Sequence, residues 1–460
     1  MQFQCRALAA QAKPGSFCFP GPIFPSHLAI MKNAPRKSIQ DKHDIEVLVR
    51  ERGPISRVGI FEHTKLRRST ISQLTRELLA EGHLIEVGRF DNPIGRKQVM
   101  LQINPNYGFL VGVEFDDKQM TAGLIDLQPK VLSTATEETD LEHGQQGLIN
   151  QILAAIRRTI EASGRPMSEL IGIGIADPGL VNTRAGITAS CSTIDFWNDV
   201  PLQAVIEQVF KIPTLVESKT RAKTIAERML GGGDKQPNMI YVEYGTGIGS
   251  GVVVDGHLLY GQDCGAGEIG HTNIVRGGPT CKCGSNGCLE AVAGARAIEE
   301  RARKALSEGV SSQVLTMVQG DPARITSWLV FEAAAAGDKL CSNILSEISE
   351  DLAIALGNLV NLFNPSVIVL DRRLQLMGDE FLTLLGRNIR SHALSASAHS
   401  LRLRFAHLDR DTSLLGVGLE VLEKHFAHAP AQTANATVAE RPGDSVIRPK
   451  RARRVPAKRL

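Results

Sequence analysis

Between Gly267 and Glu290 the chain sets out the residue types that hold metals and polar ligands. Cys281, Cys283 and Cys288 form a C-x-C-x4-C cluster in which Gly284 and Gly287 permit a tight loop. Three thiolates need one further donor to complete the tetrahedral set that zinc prefers, and His271 is the nearest imidazole. Four protein ligands leave no position for water, so His271, Cys281, Cys283 and Cys288 predict a structural zinc. The bland alternative is three reduced thiols on a glycine loop, but thiolates this close without a metal oxidise or repel. Glu268 and His271 stand three apart, and Glu290 follows the last thiol by two. Two carboxylates and an imidazole converging on a cleft suit a polyhydroxylated ligand, whose hydroxyls donate to carboxylates. The same side chains could equally orient the ligating histidine. Upstream, the turn Gly245-Thr246-Gly247-Ile248-Gly249 interrupts an apolar, β-branched run, as phosphate-binding loops do.

These residues need a large scaffold, and 460 residues suffice for two or three domains. A hydrophobic fraction of 43% with 22% charged is ordinary for a globular protein. No apolar run reaches the roughly 18 residues of a membrane helix, and the N-terminus lacks a clean signal-peptide core, so a cytoplasmic protein is expected. Clustered cysteines in that setting favour metal over disulfides.

Residues 1–36 are rich in Pro, Gly and Ala without periodicity and read as disordered, with Met31 an alternative start to Met1. The tail 427–460 also reads as disordered. From Arg441 it carries eight Lys/Arg and one acid, Asp444, which attracts polyanions.

Residues 41–104 read as a winged helix-turn-helix. Ile45, Leu48 and Val49 mark a first helix, and Gly53-Pro54 stops it. Ser56 is placed to cap a second helix bearing Val58, Ile60 and Phe61. A third helix buries Ile71, Leu74 and Leu78 and ends at Gly82. A hairpin of Leu84–Phe90 and Lys97–Ile103 follows. The third helix then enters the DNA major groove, offering Arg67, Arg68, Ser69, Thr70, Ser72, Gln73 and Arg76. Arg96 and Lys97 at the hairpin tip suit the backbone or minor groove. The competing reading is a solvated face on a protein-binding module.

Residues 107–426 alternate strands and helices in two runs, predicting an α/β unit of two lobes with a cleft between them. From about Phe109 to Glu423 this part resembles the ROK family, which groups sugar kinases with sugar-responsive repressors. The stretches GTGIGSGVVVDGHLLYG, GEIGH and CKCGSNGCLE carry the resemblance. It implies a two-lobed hexokinase/actin-like fold, sugar contacts from Glu268, His271 and Glu290, and zinc on His271, Cys281, Cys283 and Cys288. The winged unit is similar to that of the family's repressor branch, which includes xylose, glucose and N-acetylglucosamine regulators.

The kinase pattern breaks at three places. Its Glu-Asn-Asp-Ala-Asn motif is here Glu217-Ser218-Lys219-Thr220-Arg221, putting a protonated lysine where a general base belongs. Its Asp-x-Gly-Gly-Thr phosphate loop is here Glu114-Phe115-Asp116-Asp117-Lys118, with acids for glycines. Its later Gly-Gly is here within Asp371-Arg372-Arg373. Ser218 and Lys219 would reach the sugar instead of the kinase Asn and Asp. Lys219 either meets an anionic group on the ligand or pairs internally with Glu268 or Glu290. The expectation is a non-enzymatic transcriptional regulator, a homodimer or homotetramer on double-stranded operator DNA, answering to a sugar or sugar derivative. The alternatives are an active sugar kinase with an accessory DNA-binding head, or a DNA-binding protein with a dead ligand site.

Overall fold

The computed structural model describes residues 38–90, 97–232 and 236–427. The expectations for 1–36, the choice between Met1 and Met31, Arg96, and the tail expected over 427–460 fall outside these residues, except that Ala427 ends the last helix, Thr412–Ala427.

The N-terminal unit holds helices Ser38–Arg52, Arg57–Thr64 and Arg68–Ala80, then antiparallel strands Leu84–Phe90 and Gln98–Ile103. Ser56 caps the second helix by accepting from Gly59 N at 3.1 Å. Of that helix's three apolar residues, Ile60 reaches the core while Val58 stays 42% exposed. The third helix buries Ile71, Leu74 and Leu78, and Thr75 satisfies its hydroxyl on Ile71 O at 2.7 Å. Gly82 follows at φ +82°, a conformation a Cβ would strain. A two-residue strand, Ile55–Ser56, pairs with Gln98–Ile103 as a third strand. It is too short to show any period.

Two five-stranded sheets follow, and they share one topology. In the first, Phe109–Phe115, Gln119–Ile125 and Val131–Glu138 form an antiparallel meander, and Leu170–Asp177 and Thr214–Ser218 extend it in parallel. In the second, Met239–Tyr244, Ile248–Val254 and His257–Leu258 form the meander, and Val367–Leu370 and Arg402–Phe405 extend it. Each sheet has its own apolar core, one around Phe109, Ile152 and Trp197 and one around Tyr244, Phe331 and Leu356. Two helices, Leu289–Ala293 and Ala295–Ser307, follow the thiol loop, parted by an extended Gly294. That break keeps Glu290 in the first turn of a short helix directly behind Cys288.

Helices Lys219–Leu230 and Thr412–Ala427 pack against each other at the junction of the lobes. A Cβ on Gly416 would lie 1.9 Å from Ala222 O, so the two backbones touch. The closing helix also sends Val421, Leu422 and Phe426 into a cluster with Ile45, Leu48 and Val49 of the N-terminal unit and Leu110, Ile125 and Leu215 of the first lobe. The N-terminal unit is therefore joined to the first lobe by a common core. Among the described residues no helix is long and apolar enough to cross a membrane.

Candidate functional site

The four metal-type side chains meet. One donor atom from each of His271, Cys281, Cys283 and Cys288 lies within 4.8 Å of the others. Cys283 Sγ and Cys288 Sγ are 3.7 Å apart, as are Cys281 Sγ and His271 Nδ1. Thiolates around a tetrahedral ion with bonds of about 2.3 Å stand about 3.8 Å apart, so the cluster has the size of a metal site. The loop is pinned by Cys281 N to Ser285 O (2.7 Å) and Gly287 N to Pro279 O (2.8 Å). Gly287 is required: its φ is +70° and a Cβ would fall 1.8 Å from Val275 O. Burial pushes the Cys288 thiol up to about 12 and raises Cys281, while the Ser285 backbone amide leads in holding Cys283 down. A divalent cation would reverse the first two by favouring thiolate. His271 offers Nδ1 to this cluster, leaving Nε2 for a second partner.

Glu268 lies close enough to His271 and Glu290 for both to act on its titration. The segment Gly267–His271 lies flat on strand Ile248–Val254, with Ser250 N and Oγ both donating to Gly267 O at 2.9 and 2.8 Å. Burial raises the Glu268 carboxyl above its usual range, His271 and Arg221 oppose that, and Glu290 adds to it. Glu290 Oε2 accepts from Ile248 N at 3.2 Å, and a Cβ on Gly247 would meet that oxygen at 2.8 Å. The surviving glycine turn is thus seated on the Glu290 carboxylate. Glu268, His271 and Glu290 are brought together.

Ser218 and Lys219 lie at the end of strand Thr214–Ser218 and the start of the helix behind it. Lys219 Nζ pairs with Asp116 Oδ2 at 3.3 Å, one of the acids that replaced the kinase glycines. The internal partner is therefore Asp116, where Glu268 or Glu290 had been considered. Burial alone would raise the Asp116 carboxyl, but Lys219 and backbone amides hold it down.

A set of ion pairs joins helix Lys219–Leu230 to strand Met239–Tyr244 and to the residues after strand Val367–Leu370. Lys223 Nζ lies 2.6 Å from Glu243 and 3.3 Å from Asp371. Arg373 grips Asp371 at 2.9 Å and approaches Glu243 at 3.8 Å, and Thr220 Oγ1 donates to Glu243. Burial resists a charged Asp371, yet Lys223 and Arg373 hold its carboxyl well below the usual range. The Arg373 guanidinium sits 5.7 Å from the Trp328 ring centre, and a Cβ on Gly245 would be 3.3 Å from it. An arginine thus lies against the glycine turn where a nucleotide phosphate would have to approach. The sequence flagged Asp371–Arg373, but Glu243 and Lys223 went unseen. Glu243 was signalled by a charge inside an otherwise apolar strand, whereas Lys223 lies on a helix that is polar at most positions and so did not stand out.

On the third helix, Arg67, Arg68, Ser69, Gln73 and Arg76 are exposed, and Thr70 and Ser72 are half-buried. Arg68 stacks 4.9 Å over the Phe61 ring. Gln73 donates to Glu77 at 3.0 Å and Arg76 to Ser72 O at 3.1 Å, so both can exchange helix partners for other acceptors. Lys97 is exposed beside the hairpin.

Comparison with known proteins gives a family model, the ROK family, matching residues 110–423. A xylose repressor of Caldicellulosiruptor bescii is 28% identical over 362 residues, covering 79% of this chain and 90% of its own. A glucokinase of Halalkalibacterium halodurans is 30% identical over 309 residues, covering 67% of this chain and 93% of its own. Among solved structures, a ROK family transcriptional regulator described as a homolog of the E. coli MLC protein superposes with a TM-score of 0.72 at 25% identity. It covers 85% of this chain and 96% of its own, more than the two lobes alone could supply.

Proposed function

Because the chain belongs to the ROK family, we propose that it is a cytoplasmic transcriptional repressor of carbohydrate uptake or catabolism genes, controlled by a sugar or sugar derivative. The observation that carries this reading is the division of the cleft. Glu268, His271 and Glu290 gather beside the thiol cluster, while the phosphate side is bridged by Arg373, Asp371, Lys223 and Glu243. A sensor needs the first set, and a kinase needs both. Lys219, in an ion pair with Asp116, is no general base. We assign zinc to His271, Cys281, Cys283 and Cys288, and sugar hydroxyls to Glu268, Glu290 and the second nitrogen of His271, with Ser218 and Lys219 at the rim. An ATP-turnover assay over D-glucose, D-xylose and N-acetyl-D-glucosamine is expected to stay at background. Turnover that disappears in Lys219→Ala would instead establish the kinase reading.

Residues 41–104 form the winged helix-turn-helix of this repressor. Helix Arg68–Ala80 would enter the major groove, with Arg68 and Gln73 reading bases and Arg67, Ser69, Thr70, Ser72 and Arg76 supporting from phosphates. Lys97, and Arg96 beside it, would meet the backbone next to the wing. A homodimer or homotetramer would place two such helices on a roughly palindromic operator. Gln73→Ala should cost about 1–3 kcal/mol of operator binding and relax preference at one base. Arg76→Ala should weaken binding to all sequences alike and lower the salt dependence. Both are read by titrating DNA selected from a random pool at two salt concentrations. Unchanged affinity and preference in both variants would remove this helix as the reader.

A further inference from the structure

The loop from Tyr260 to Cys264 follows the second lobe's edge strand, yet its polar contacts reach across to the other body. The Tyr260 hydroxyl donates to Glu420 Oε1 of the closing helix at 3.1 Å. Arg184 of the first lobe reaches Gly261 O at 3.5 Å and Gln262 O at 3.3 Å, and Arg221 donates to Cys264 O at 2.7 Å. The loop closes on itself through Ala266 N to Tyr260 O at 3.1 Å and runs on into Glu268. Its near end therefore touches the closing helix, and its far end is a ligand-type carboxylate.

Glu420 is an unusual residue for that helix. It is 9% exposed, and its Oε2, like Oε2 of the fully buried Glu217, has no partner. Arg221 donates to Glu217 Oε1 at 2.6 Å. Burial and the Glu217 charge raise the Glu420 carboxyl well above the usual carboxylate range, which favours its protonated form, while the charges of Lys424 and Arg221 favour the ionised form. A buried acid with one hydrogen bond to another element contributes little stability. Its value lies in what that bond joins.

On the other side the closing helix is fixed to the first lobe. A Cβ on Gly172 would lie 2.4 Å from Val421 Cγ1, and one on Gly174 would lie 2.8 Å from Val417 Cβ. Two residues past Glu420, Leu422 enters the core shared with Ile45, Leu48 and Val49, and Phe426 receives the Arg50 guanidinium 5.2 Å from its ring centre. First lobe, closing helix and N-terminal unit thus form one packed body, and Tyr260 is where the second lobe's ligand loop engages its closing helix.

We propose that Tyr260 and Glu420 form an interlobe latch that couples ligand occupancy at Glu268 to the placement of the N-terminal unit. A ligand that draws Glu268 toward its hydroxyls also tugs the loop, changing the Tyr260–Glu420 contact and with it the angle between the lobes. The ligand arm of this inference rests on the sugar-sensor reading, and the latch itself is testable without any ligand.

Amide hydrogen exchange on the full-length protein tests the latch, using Tyr260→Phe, Glu420→Leu and Glu420→Gln. Tyr260→Phe and Glu420→Leu should exchange at least five-fold faster in both loop 260–268 and the last two turns of the closing helix. Glu420→Gln, which keeps the size and an acceptor oxygen for the Tyr260 hydroxyl, should match the wild type. Faster exchange confined to the loop, or none in Tyr260→Phe, would overturn the latch. A second arm measures affinity for DNA selected by the wild type, with and without D-glucose, D-xylose or N-acetyl-D-glucosamine. Tyr260→Phe should keep its sugar-free DNA affinity and sugar affinity within about three-fold, while the sugar-induced change in DNA affinity shrinks at least five-fold. A merely structural role would lower all three together, and an unchanged sugar effect would overturn the coupling. If no sugar alters wild-type DNA binding, the sugar reading fails for these probes and the exchange arm still decides the latch.

Discussion

Cys288→Ser is expected to abolish metal retention and to lower thermal stability sharply. Cys288 is buried, its Sγ stands 3.7 Å from Cys283 Sγ, and its backbone bridges to Asn273 on the segment that carries His271. Serine keeps the size but offers a hard, protonated oxygen in place of a soft thiolate. A structural zinc contributes on the order of 10 kcal/mol to folding in small domains, and here a fraction of that should appear as several kcal/mol. Metal analysis should fall from about one zinc per chain to none. Cys283→Ser, at the exposed rim, should also lose the metal but cost less stability. The loss should spread to the cleft, because Glu290 follows Cys288 by two residues and seats the glycine turn through Ile248 N. Sugar-induced thermal shifts should therefore disappear in both variants. Metal retained at wild-type content in Cys288→Ser would show that the ligand set is wrong.

The same locality explains what could be read from the chain. His271, Cys281, Cys283 and Cys288 lie within eighteen residues, and a glycine loop can fold back only so far, so their convergence was legible. Helices Leu202–Phe210, Lys219–Leu230 and Lys339–Phe363 were legible from periodicity and end signals. Strand Val131–Glu138 was not, because its residues are mostly exposed and polar and show no alternation. Hairpin strands Leu180–Asn182 and Ile187–Ser190 were missed because they are too short for a pattern. The long-range polar contacts were the least legible part. Lys219 meets Asp116 across 103 positions, Lys223 meets Asp371 across 148, and Tyr260 meets Glu420 across 160. Their partners are chosen by strand order and lobe geometry, which no local spacing encodes.

The largest effect from a single side chain outside the metal centre should come from Arg221. It is 2% exposed, and its Nε lies 2.6 Å from Oε1 of the fully buried Glu217. Its other nitrogens donate to Cys264 O at 2.7 Å, Val181 O at 2.8 Å and Thr183 Oγ1 at 3.3 Å, and its guanidinium lies 5.3 Å from the Tyr260 ring centre. One planar fork thus joins a strand, a hairpin end and the latch loop, a geometry that lysine cannot reproduce. Arg221→Met removes the guanidinium paired with Glu217 in the interior and leaves that carboxylate with hydrogen bonds from Thr183 Oγ1 and Ser218 N but without its ion-pair partner. Breaking a buried pair in this way costs about 3–5 kcal/mol, most of it the uncompensated charge. Thermal denaturation should show a drop of roughly 6–20 °C, taking about 2–4 °C per kcal/mol for a domain of 150–250 residues. Adding Glu217→Gln should recover part of that loss, because the stranded charge is removed while the hydrogen-bonding shape remains. Additive losses in the double variant would mean that Arg221 acts through its carbonyl contacts and not through Glu217. A drop below about 1 kcal/mol in the single variant would mean that the buried pair is not what closes this junction.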